Sequence, residues 1–211
     1  SLGYRRYGAH GGDAGGLITR ELGILKPEGL VGVHLLQIFA FPSGAPGEME
    51  RMDEFEKAGM GNRGDWEKNS GYAAIQKSRP QTLGFGLSDS PAGQLAWIAD
   101  FLMGFDRGVD HLGRDFLLDQ ATLYWLTNTG GSAAQHYFED ARSGAGYRET
   151  RNDTPTGVAV FPYDFRSVRA FAERSTNIVH WSQFDRGGHF AALDAPDLLV
   201  ADLRKFFGLF R

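Results

Sequence analysis

The sequence predicts an α/β protein with a mostly parallel sheet and a helical insertion in the middle of the chain. Strand-like apolar runs alternate with helix-like segments near both ends, whereas the middle is charged and helical in pattern. The 211 residues, 42% of them hydrophobic, are enough to bury a sizeable core. We therefore expect core segments at residues 1–39 and 152–211, separated by a mainly helical cap at residues 40–151.

The first core segment is predicted to form a strand, a tight turn, a helix and a second strand. Tyr7–His10 is strand-like and leads into a glycine-rich turn at residues 11–16. Apolar residues then recur at helical spacing as far as Gly23. Leu30–Leu36 is a near-continuous apolar run, which is typical of a parallel strand that is buried on both faces.

The predicted cap contains two helical patterns, at Ser88–Phe105 and at Asp115–Leu126. A charged run precedes them, from Glu48 to Lys68. Because charged side chains are mostly found in water, we interpret this run as a solvated face.

The second core segment is predicted to be a βαβ unit followed by a helix. Its strands are expected at Gly157–Phe161 and Asn177–Trp181, with a helix over residues 166–174 between them. Asp194 is in a position to cap the last helix. Three apolar residues share one face of that helix: Leu199, Leu203 and Phe206.

The composition excludes several classes of protein. Twenty-two Lys and Arg against 26 Asp and Glu leave a net charge of −4, so neither nucleic acid nor an anionic membrane is an expected partner. The absence of cysteine excludes disulfides, a thiolate nucleophile and cysteine-ligated metals. The six histidines lack metal-ligand spacing, and we expect no metal and no cofactor. No apolar run is long enough to span a membrane, so a soluble, cytoplasmic protein is expected.

One short motif carries chemistry. Gly11-Gly12-Asp13-Ala14-Gly15 places small residues two positions on either side of an aspartate, between a strand and a helix. A nucleophile on such a strained turn needs small neighbours because a nearby Cβ would clash. An aspartate there would attack carbon through a carboxylate oxygen and form an ester. On spacing alone, a helix cap or an Asx turn explains Asp13 about equally well.

Hydrolysis of an ester needs an activated water, and therefore a histidine held by an acid. Asp164 closely follows the strand that ends at Phe161, and His189 lies in the glycine-rich turn after the next strand. The carboxyl ends of parallel strands are where α/β proteins place such groups. The three features together favour a catalytic site over a structural turn.

These residues resemble a known family. Gly11-Gly12-Asp13, Phe161-Pro162-Tyr163-Asp164 and the segment from Arg186 to Ala192 are similar, over nearly the whole chain, to the α/β-hydrolase-fold epoxide hydrolases of the microsomal type. The resemblance implies that an epoxide is the substrate and that two cap tyrosines bind the oxirane oxygen. The matching positions here are Tyr72 and Tyr137.

The chemistry of these tyrosines is reasonable in itself. A phenol stays protonated at neutral pH, so it can donate to an epoxide oxygen as the ring opens. The backbone N–H of Ala14 would supply half of the oxyanion hole. The sequence departs from the family at two positions. Asp164 stands where the microsomal type often has Glu, and Ala14 stands where many relatives carry a bulky aromatic residue.

The nucleophile position is a larger departure. Members of this fold reach their nucleophile after several strands, whereas here it is residue 13. We therefore expect the chain to be the C-terminal portion of an enzyme, with the N-terminal strands missing. An N-terminal fragment of the same enzyme is an expected partner, and a homodimer is another.

Two alternatives stay open. A haloalkane dehalogenase uses the same Asp and His chemistry but needs halide-binding donors, for which Trp97 and Trp125 are candidates. A chain that has lost its oxyanion half could instead be non-catalytic or dependent on a partner. Activity of the isolated chain separates this last reading from the two enzymes.

Overall fold

The computed structural model describes residues 3–103, 112–144 and 150–211. These residues form two compact units, one within residues 1–63 and 147–211 and the other within residues 64–146. We call them the sheet unit and the helical unit. The predicted bounds of core and cap, at 1–39, 40–151 and 152–211, stay predictions. Phe105, the predicted end of a cap helix, lies outside the described residues.

The sheet unit is built on a parallel sheet. Its four described strands lie in the order β1-β2-β3-β4, so that neighbours in the sheet are also successive along the chain. The strands are β1 (Tyr7–Gly11), β2 (Leu30–Leu35), β3 (Asn152–Val160) and β4 (Thr176–Gln183). All four carboxyl ends therefore meet at the same edge, and the predicted α/β architecture with a parallel sheet is confirmed.

The described helices alternate with these strands and fill the insertion. In chain order they are α1 (Asp13–Leu25), α2 (Glu54–Asn69), α3 (Gly71–Ser78), α4 (Pro80–Asp89), α5 (Pro91–Met103), α6 (Arg114–Leu126), α7 (Gly130–Ser143), α8 (Arg169–Ala172), α9 (Ala191–Asp194) and α10 (Pro196–Gly208). Among the helices that the structure describes, none is both long and apolar enough to span a membrane.

The two central strands, β2 and β3, are largely buried, as the near-continuous apolar run of β2 predicts. Val158 and Val160 of β3 belong to a cluster on one face together with Leu35 of β2. Ala159 and Phe161, which point the other way, belong to a second cluster that includes Leu199 of α10. Because successive side chains of a strand point to opposite faces, β3 supplies core to both sides.

Two helix predictions are wrong in their bounds. The helix expected at 166–174 is only the single turn α8, because side chains just before it make tertiary hydrogen bonds instead. The Ser167 hydroxyl accepts the Ile38 N–H at 2.8 Å, and Arg166 donates to the Phe55 carbonyl at 3.0 Å. The pattern at 88–105 begins inside α4 and breaks at Ser90, since a proline starts the next helix.

Two interpretations of charged residues are also wrong. Asp194 does not cap the last helix, because its carboxylate accepts the Gly188 N–H at 3.1 Å and Ala195 occupies the cap position. The run from Glu48 is not simply a solvated face. Glu48 and Glu56 are buried, and Glu56 accepts the Arg169 backbone N–H at 2.8 Å.

The helical unit has its own buried residues. Helix α7 packs against α3 and against α4, and Ala73, Leu87 and Ala134 are buried. Gly84 and Gly131 lie so close that a Cβ on Gly84 would come within 3.2 Å of the Gly131 Cα. Small residues at this crossing thus allow the backbones of α4 and α7 to approach closely.

A buried polar network joins three strands of the sheet unit to α10. The Asp202 carboxylate accepts from His34 Nε2 at 2.9 Å, from His180 Nε2 at 2.8 Å and from the Ser182 hydroxyl at 2.6 Å. On the other side of His34, its Nδ1 lies 3.0 Å from Nδ1 of His10. Burial opposes ionisation of Asp202, but the hydrogen bonds from His34, Ser182 and His180 outweigh it and lower its pKa to about 2.

We expect Asp202→Asn to destabilise the chain by about 2–4 kcal/mol at pH 7, because an amide cannot accept all three donors. The lowered pKa of Asp202 means that its stabilisation is complete above the unfolded pKa and is lost as the pH falls through the folded value. The difference between wild type and variant should therefore shrink by about 1 kcal/mol from pH 5 to pH 3. Urea unfolding at the two pH values measures this.

The matched control is Asp153→Asn, which removes an exposed aspartate paired with Arg151. Its effect should stay below about 1 kcal/mol at either pH, as for other surface pairs. Equal losses for the two variants at pH 7 would contradict the importance of the buried network.

Candidate active site

The chain turns sharply between β1 and α1. Asp13, the first residue of α1, has φ of 50°, which is uncommon for any residue with a Cβ. Its side chain is 53% exposed, so the carboxylate stands out from the turn. Aspartate adopts the left-handed region more readily than most residues, and strain at such positions is characteristic of functional sites.

Small residues are expected on both sides of Asp13, but the structure requires one only on the N-terminal side, at Gly11. A Cβ on Gly11 would lie 2.1 Å from the Gly15 carbonyl oxygen and 2.6 Å from the Thr19 hydroxyl, so a glycine is required there. Beside Gly15, however, a Cβ would meet no described atom within 4 Å outside its own helix. The prediction is therefore wrong for Gly15, because that residue faces open space.

This difference gives a paired prediction. We expect Gly11→Ala to destabilise the chain by about 1–3 kcal/mol, because the new methyl group meets backbone that cannot move without opening the turn. Gly15→Ala should be neutral or stabilising by up to about 1 kcal/mol, since alanine favours a helix. Urea unfolding of both variants measures the two effects. Equal destabilisation would contradict the steric account of the turn.

The structure brings the predicted acid and histidine together with Asp13. Nδ1 of His189 lies 3.0 Å from Oδ1 of Asp164, within hydrogen-bond distance. Nε2 of the same ring lies 3.8 Å from Oδ2 of Asp13. The His189 and Asp164 side chains are only 10% and 9% exposed. The Nδ1 side of the imidazole therefore contacts a carboxylate that is shielded from solvent.

Contacts between their two loops position the acid and the histidine. The Tyr163 N–H donates to the Gly187 carbonyl at 3.3 Å, and the backbones at Tyr163 and Gly188 form an isolated parallel bridge. Gly187 has φ of 93°, and a Cβ there would come within 2.7 Å of the Phe161 ring. The N–H of the following residue, Gly188, donates a hydrogen bond to the Asp194 carboxylate. The His189 loop is thus fixed to the Asp164 loop.

Sequence reasoning missed Gln37, which follows β2 at the same edge of the sheet. Its Oε1 accepts the Asp13 backbone N–H at 2.7 Å, and its Nε2 donates to Oδ2 of Asp164. The side chain is 3% exposed. The available signal was a polar residue directly after an apolar strand, at the end where functional groups collect.

The N-terminus of α1 provides backbone donors at the turn. Ala14 is its second residue, and the first N–H groups of a helix lack acceptors within that helix. These groups and the helix dipole favour negative charge. The Ala14 N–H is therefore suited to the oxyanion role that the resemblance implies.

The two predicted tyrosines come together in the helical unit. Tyr72 is buried on α3 and Tyr137 lies on α7, with ring centroids 6.2 Å apart and ring planes at 88°. The Tyr72 ring also packs edge-on against Phe101, at 4.5 Å between centroids. The candidate residues thus form two groups: Asp13, Asp164, His189 and Ala14 in the sheet unit, and Tyr72 with Tyr137 in the helical unit.

The chain is similar to curated proteins named epoxide hydrolase. It is 39% identical over 212 residues to a putative epoxide hydrolase of Stigmatella aurantiaca, covering 98% of this chain and 48% of that protein. It is 29% identical to epoxide hydrolase 1 of Sus scrofa, over 99% of this chain and 52% of the relative. No family model matches the chain.

Solved structures are similar too. The Aspergillus niger epoxide hydrolase superposes with a TM-score of 0.81 at 30% identity, over 99% of this chain and 54% of that one. The juvenile hormone epoxide hydrolase of the silkworm Bombyx mori gives a TM-score of 0.84 at 25% identity, over 100% of this chain and 56% of that one.

The parallel sheet and the aspartate turn place the chain in the α/β-hydrolase fold, as its structural neighbours do. Within that fold, it is homologous over nearly its whole length to epoxide hydrolases, and the predicted resemblance is confirmed. The chain spans about half the length of the curated relatives it matches.

Proposed function

We propose that the protein hydrolyses an epoxide to a vicinal diol through an ester on Asp13. The observation that carries this proposal is the arrangement of the three side chains at the sheet edge. His189 lies between the exposed Asp13 carboxylate and the shielded Asp164 carboxylate, at 3.8 Å and 3.0 Å. An aspartate nucleophile with a paired histidine is suited to forming an ester and then hydrolysing it.

The first step is opening of the epoxide ring. A carboxylate oxygen of Asp13 forms a bond to one ring carbon, and the bond between that carbon and the ring oxygen breaks. The ring oxygen leaves with the electron pair and takes a proton from Tyr72 or Tyr137. The ring centroids of the two tyrosines lie 6.2 Å apart, a separation that is compatible with both phenols binding one small oxygen atom.

The second step is hydrolysis of the ester. Nε2 of His189 takes a proton from water, and the oxygen of that water attacks the Asp13 carbonyl carbon. The Ala14 N–H stabilises the resulting oxyanion. As the tetrahedral intermediate collapses, the bond to the alkyl oxygen breaks and that oxygen takes the remaining proton of the attacking water, which releases the diol and regenerates the carboxylate. The proton held by His189 returns through solvent to the phenolate left by the first step. Nε2 lies 3.8 Å from Oδ2 of Asp13, which places the base beside the ester that it helps to hydrolyse.

Asp164 holds the imidazole in the form that the second step needs. Its Oδ1 accepts the Nδ1–H of His189, which leaves Nε2 as the base. The same carboxylate stabilises the imidazolium that forms when water loses its proton. The shorter Asp in place of Glu is thus compatible with this role, given the 3.0 Å distance.

The names of the relatives favour an epoxide over the alternative halide chemistry. Each relative and solved structure described above is named an epoxide hydrolase. Trp97 and Trp125 remain the donors that a haloalkane dehalogenase would use, but no observation favours that function.

We also propose that the rest of an α/β-hydrolase sheet adds next to β1. Tyr7 and His10 on this strand are exposed, and β1 is an outer strand of the described sheet. Exposed strand edges are templates for further pairing, and the relatives are about twice as long. This supports an N-terminal fragment as a partner. The homodimer and the cytoplasmic location stay predictions.

The decisive experiment is intact mass spectrometry of the His189→Gln variant after incubation with styrene oxide. We expect the mass of the epoxide on the chain, mapped to Asp13, because the ester forms but no base activates water. Native spectra should also show whether a second polypeptide accompanies the chain. Absence of an adduct, with or without such a partner, would contradict the proposed function.

A further inference from the structure

Gln37 connects two groups of the site that belong to distant parts of the chain. It follows β2, whereas Asp13 precedes it by 24 residues and Asp164 lies 127 residues beyond. Only 3% of its surface is exposed, so the side chain has little freedom and is shielded from solvent. Such a buried bridge fixes the separation between the groups at its two ends.

The bridge uses both ends of the amide in a defined direction. The carbonyl oxygen Oε1 accepts the Asp13 N–H at 2.7 Å, and the NH₂ group donates to Asp164. The reversed amide would place a donor against a donor and an oxygen against a carboxylate. Because both contacts would then be repulsive, the hydrogen-bond partners determine this orientation.

We infer that Gln37 is a positioning residue that holds the strained Asp13 backbone and orients the Asp164 carboxylate toward His189. On the Asp13 side, the bond stabilises a residue with φ of 50°, at which the carboxylate projects from the turn. On the Asp164 side, Gln37 is hydrogen-bonded to Oδ2 and His189 is hydrogen-bonded to Oδ1. Because both carboxylate oxygens are engaged, the carboxylate cannot rotate without breaking a bond.

The bond from Asp13 to Gln37 affects which backbone N–H of the turn can bind an oxyanion. Since Gln37 occupies the Asp13 N–H, that group is not available to the substrate. The Ala14 N–H, one residue further on, is therefore the donor that the turn offers to an oxyanion. The inference about catalysis rests on the proposed function, whereas the inference about backbone geometry does not.

Two substitutions of Gln37 distinguish its bond to the Asp13 N–H from its bond to the Asp164 carboxylate. Gln37→Met keeps the approximate size and removes both bonds. Gln37→Glu keeps an acceptor for the Asp13 N–H but replaces the donor to Asp164 with a second carboxylate. Gln183→Met is the matched control, because it removes another glutamine-to-aspartate bond in the sheet unit, that to Asp53 at 2.9 Å.

The first measurement is hydrogen exchange of the Asp13 backbone amide by NMR, which needs no substrate. We expect exchange to be about tenfold faster in Gln37→Met, which corresponds to the loss of one hydrogen bond. Gln37→Glu and the Gln183→Met control should stay within about threefold of wild type. Unchanged exchange in Gln37→Met would overturn the inference about the Asp13 backbone.

The second measurement is the pH profile of ester hydrolysis after a single turnover with styrene oxide. In Gln37→Glu, a carboxylate near the Asp164–His189 pair favours the imidazolium, so half-maximal hydrolysis should move to higher pH by about one unit. Gln37→Met should slow hydrolysis about tenfold without moving the profile, and the control should do neither.

The outcomes distinguish the two levels of the proposal. If wild type forms no ester, the proposed function fails, and amide exchange alone decides whether Gln37 holds the turn. If the ester forms but the Gln37→Glu profile does not move, Gln37 does not orient the acid, and that part of the inference is overturned. A stability loss alone would not shift a pH profile.

Discussion

Asp13→Ala is expected to abolish both the ester and the diol, with a loss of about 10⁴-fold or more in turnover of styrene oxide. The other carboxylate described beside His189 is that of Asp164, which is only 9% exposed and is hydrogen-bonded to the imidazole, so it is not placed to replace the nucleophile. Intact mass measured in the His189→Gln background, with and without Asp13→Ala, tests this prediction directly. The adduct seen with Asp13 should disappear.

Folding must be controlled because alanine tolerates φ of 50° less well than aspartate does. Asp13→Asn supplies this control, since asparagine also adopts the left-handed region readily. It should keep the urea midpoint of wild type while forming no ester. Asp153→Ala, on an exposed part of β3, should retain both the ester and turnover. An ester in either Asp13 variant would contradict the assignment of the nucleophile.

Tyr72→Phe combined with Tyr137→Phe is expected to slow formation of the ester by about 10²-fold or more, because no phenol then protonates the ring oxygen. Hydrolysis of the ester should change by less than about threefold, since that step uses His189 and the sheet edge. Single-turnover kinetics with styrene oxide resolves the two rates. A slower second step with an unchanged first step would contradict the acid role.

The substitution is conservative for the fold. Phenylalanine preserves the ring of Tyr72 and hence its packing against Phe101 at 4.5 Å. The matched control is Tyr124→Phe, which removes a hydroxyl from α6 in the same unit. This control should leave both rates as in wild type. Equal effects of the control and the double variant would indicate a general loss of helical packing.

Much of the architecture could be predicted because local rules govern it. The strands at Tyr7–Gly11 and Leu30–Leu35 follow from apolar runs, and the turn between strand and helix follows from the glycines around Asp13. The chain order of Asp13, Asp164 and His189 could also be predicted, since each closely follows a strand. Their roles in catalysis stay predictions until the variants are measured.

Other features were decided by partners distant along the chain. The amide of Gln37 lies against Asp164, and the buried Glu56 accepts the N–H of Arg169. The Asp194 carboxylate binds the Gly188 N–H in the His189 loop and does not cap α10. A hydrogen bond depends on the distance and direction between two groups in space. A pattern over a few neighbouring residues gives neither quantity for groups that lie far apart in the sequence.

By itself, therefore, the sequence determined the order of strands and helices, the turn that presents Asp13 and the candidate acid and histidine. These depend on hydrophobic period, on backbone sterics and on the position of polar residues after strands, all of which are local. Only the tertiary structure decided which buried polar groups meet. In a shielded site each donor must find an acceptor, and the fold brought Gln37 to both Asp13 and Asp164.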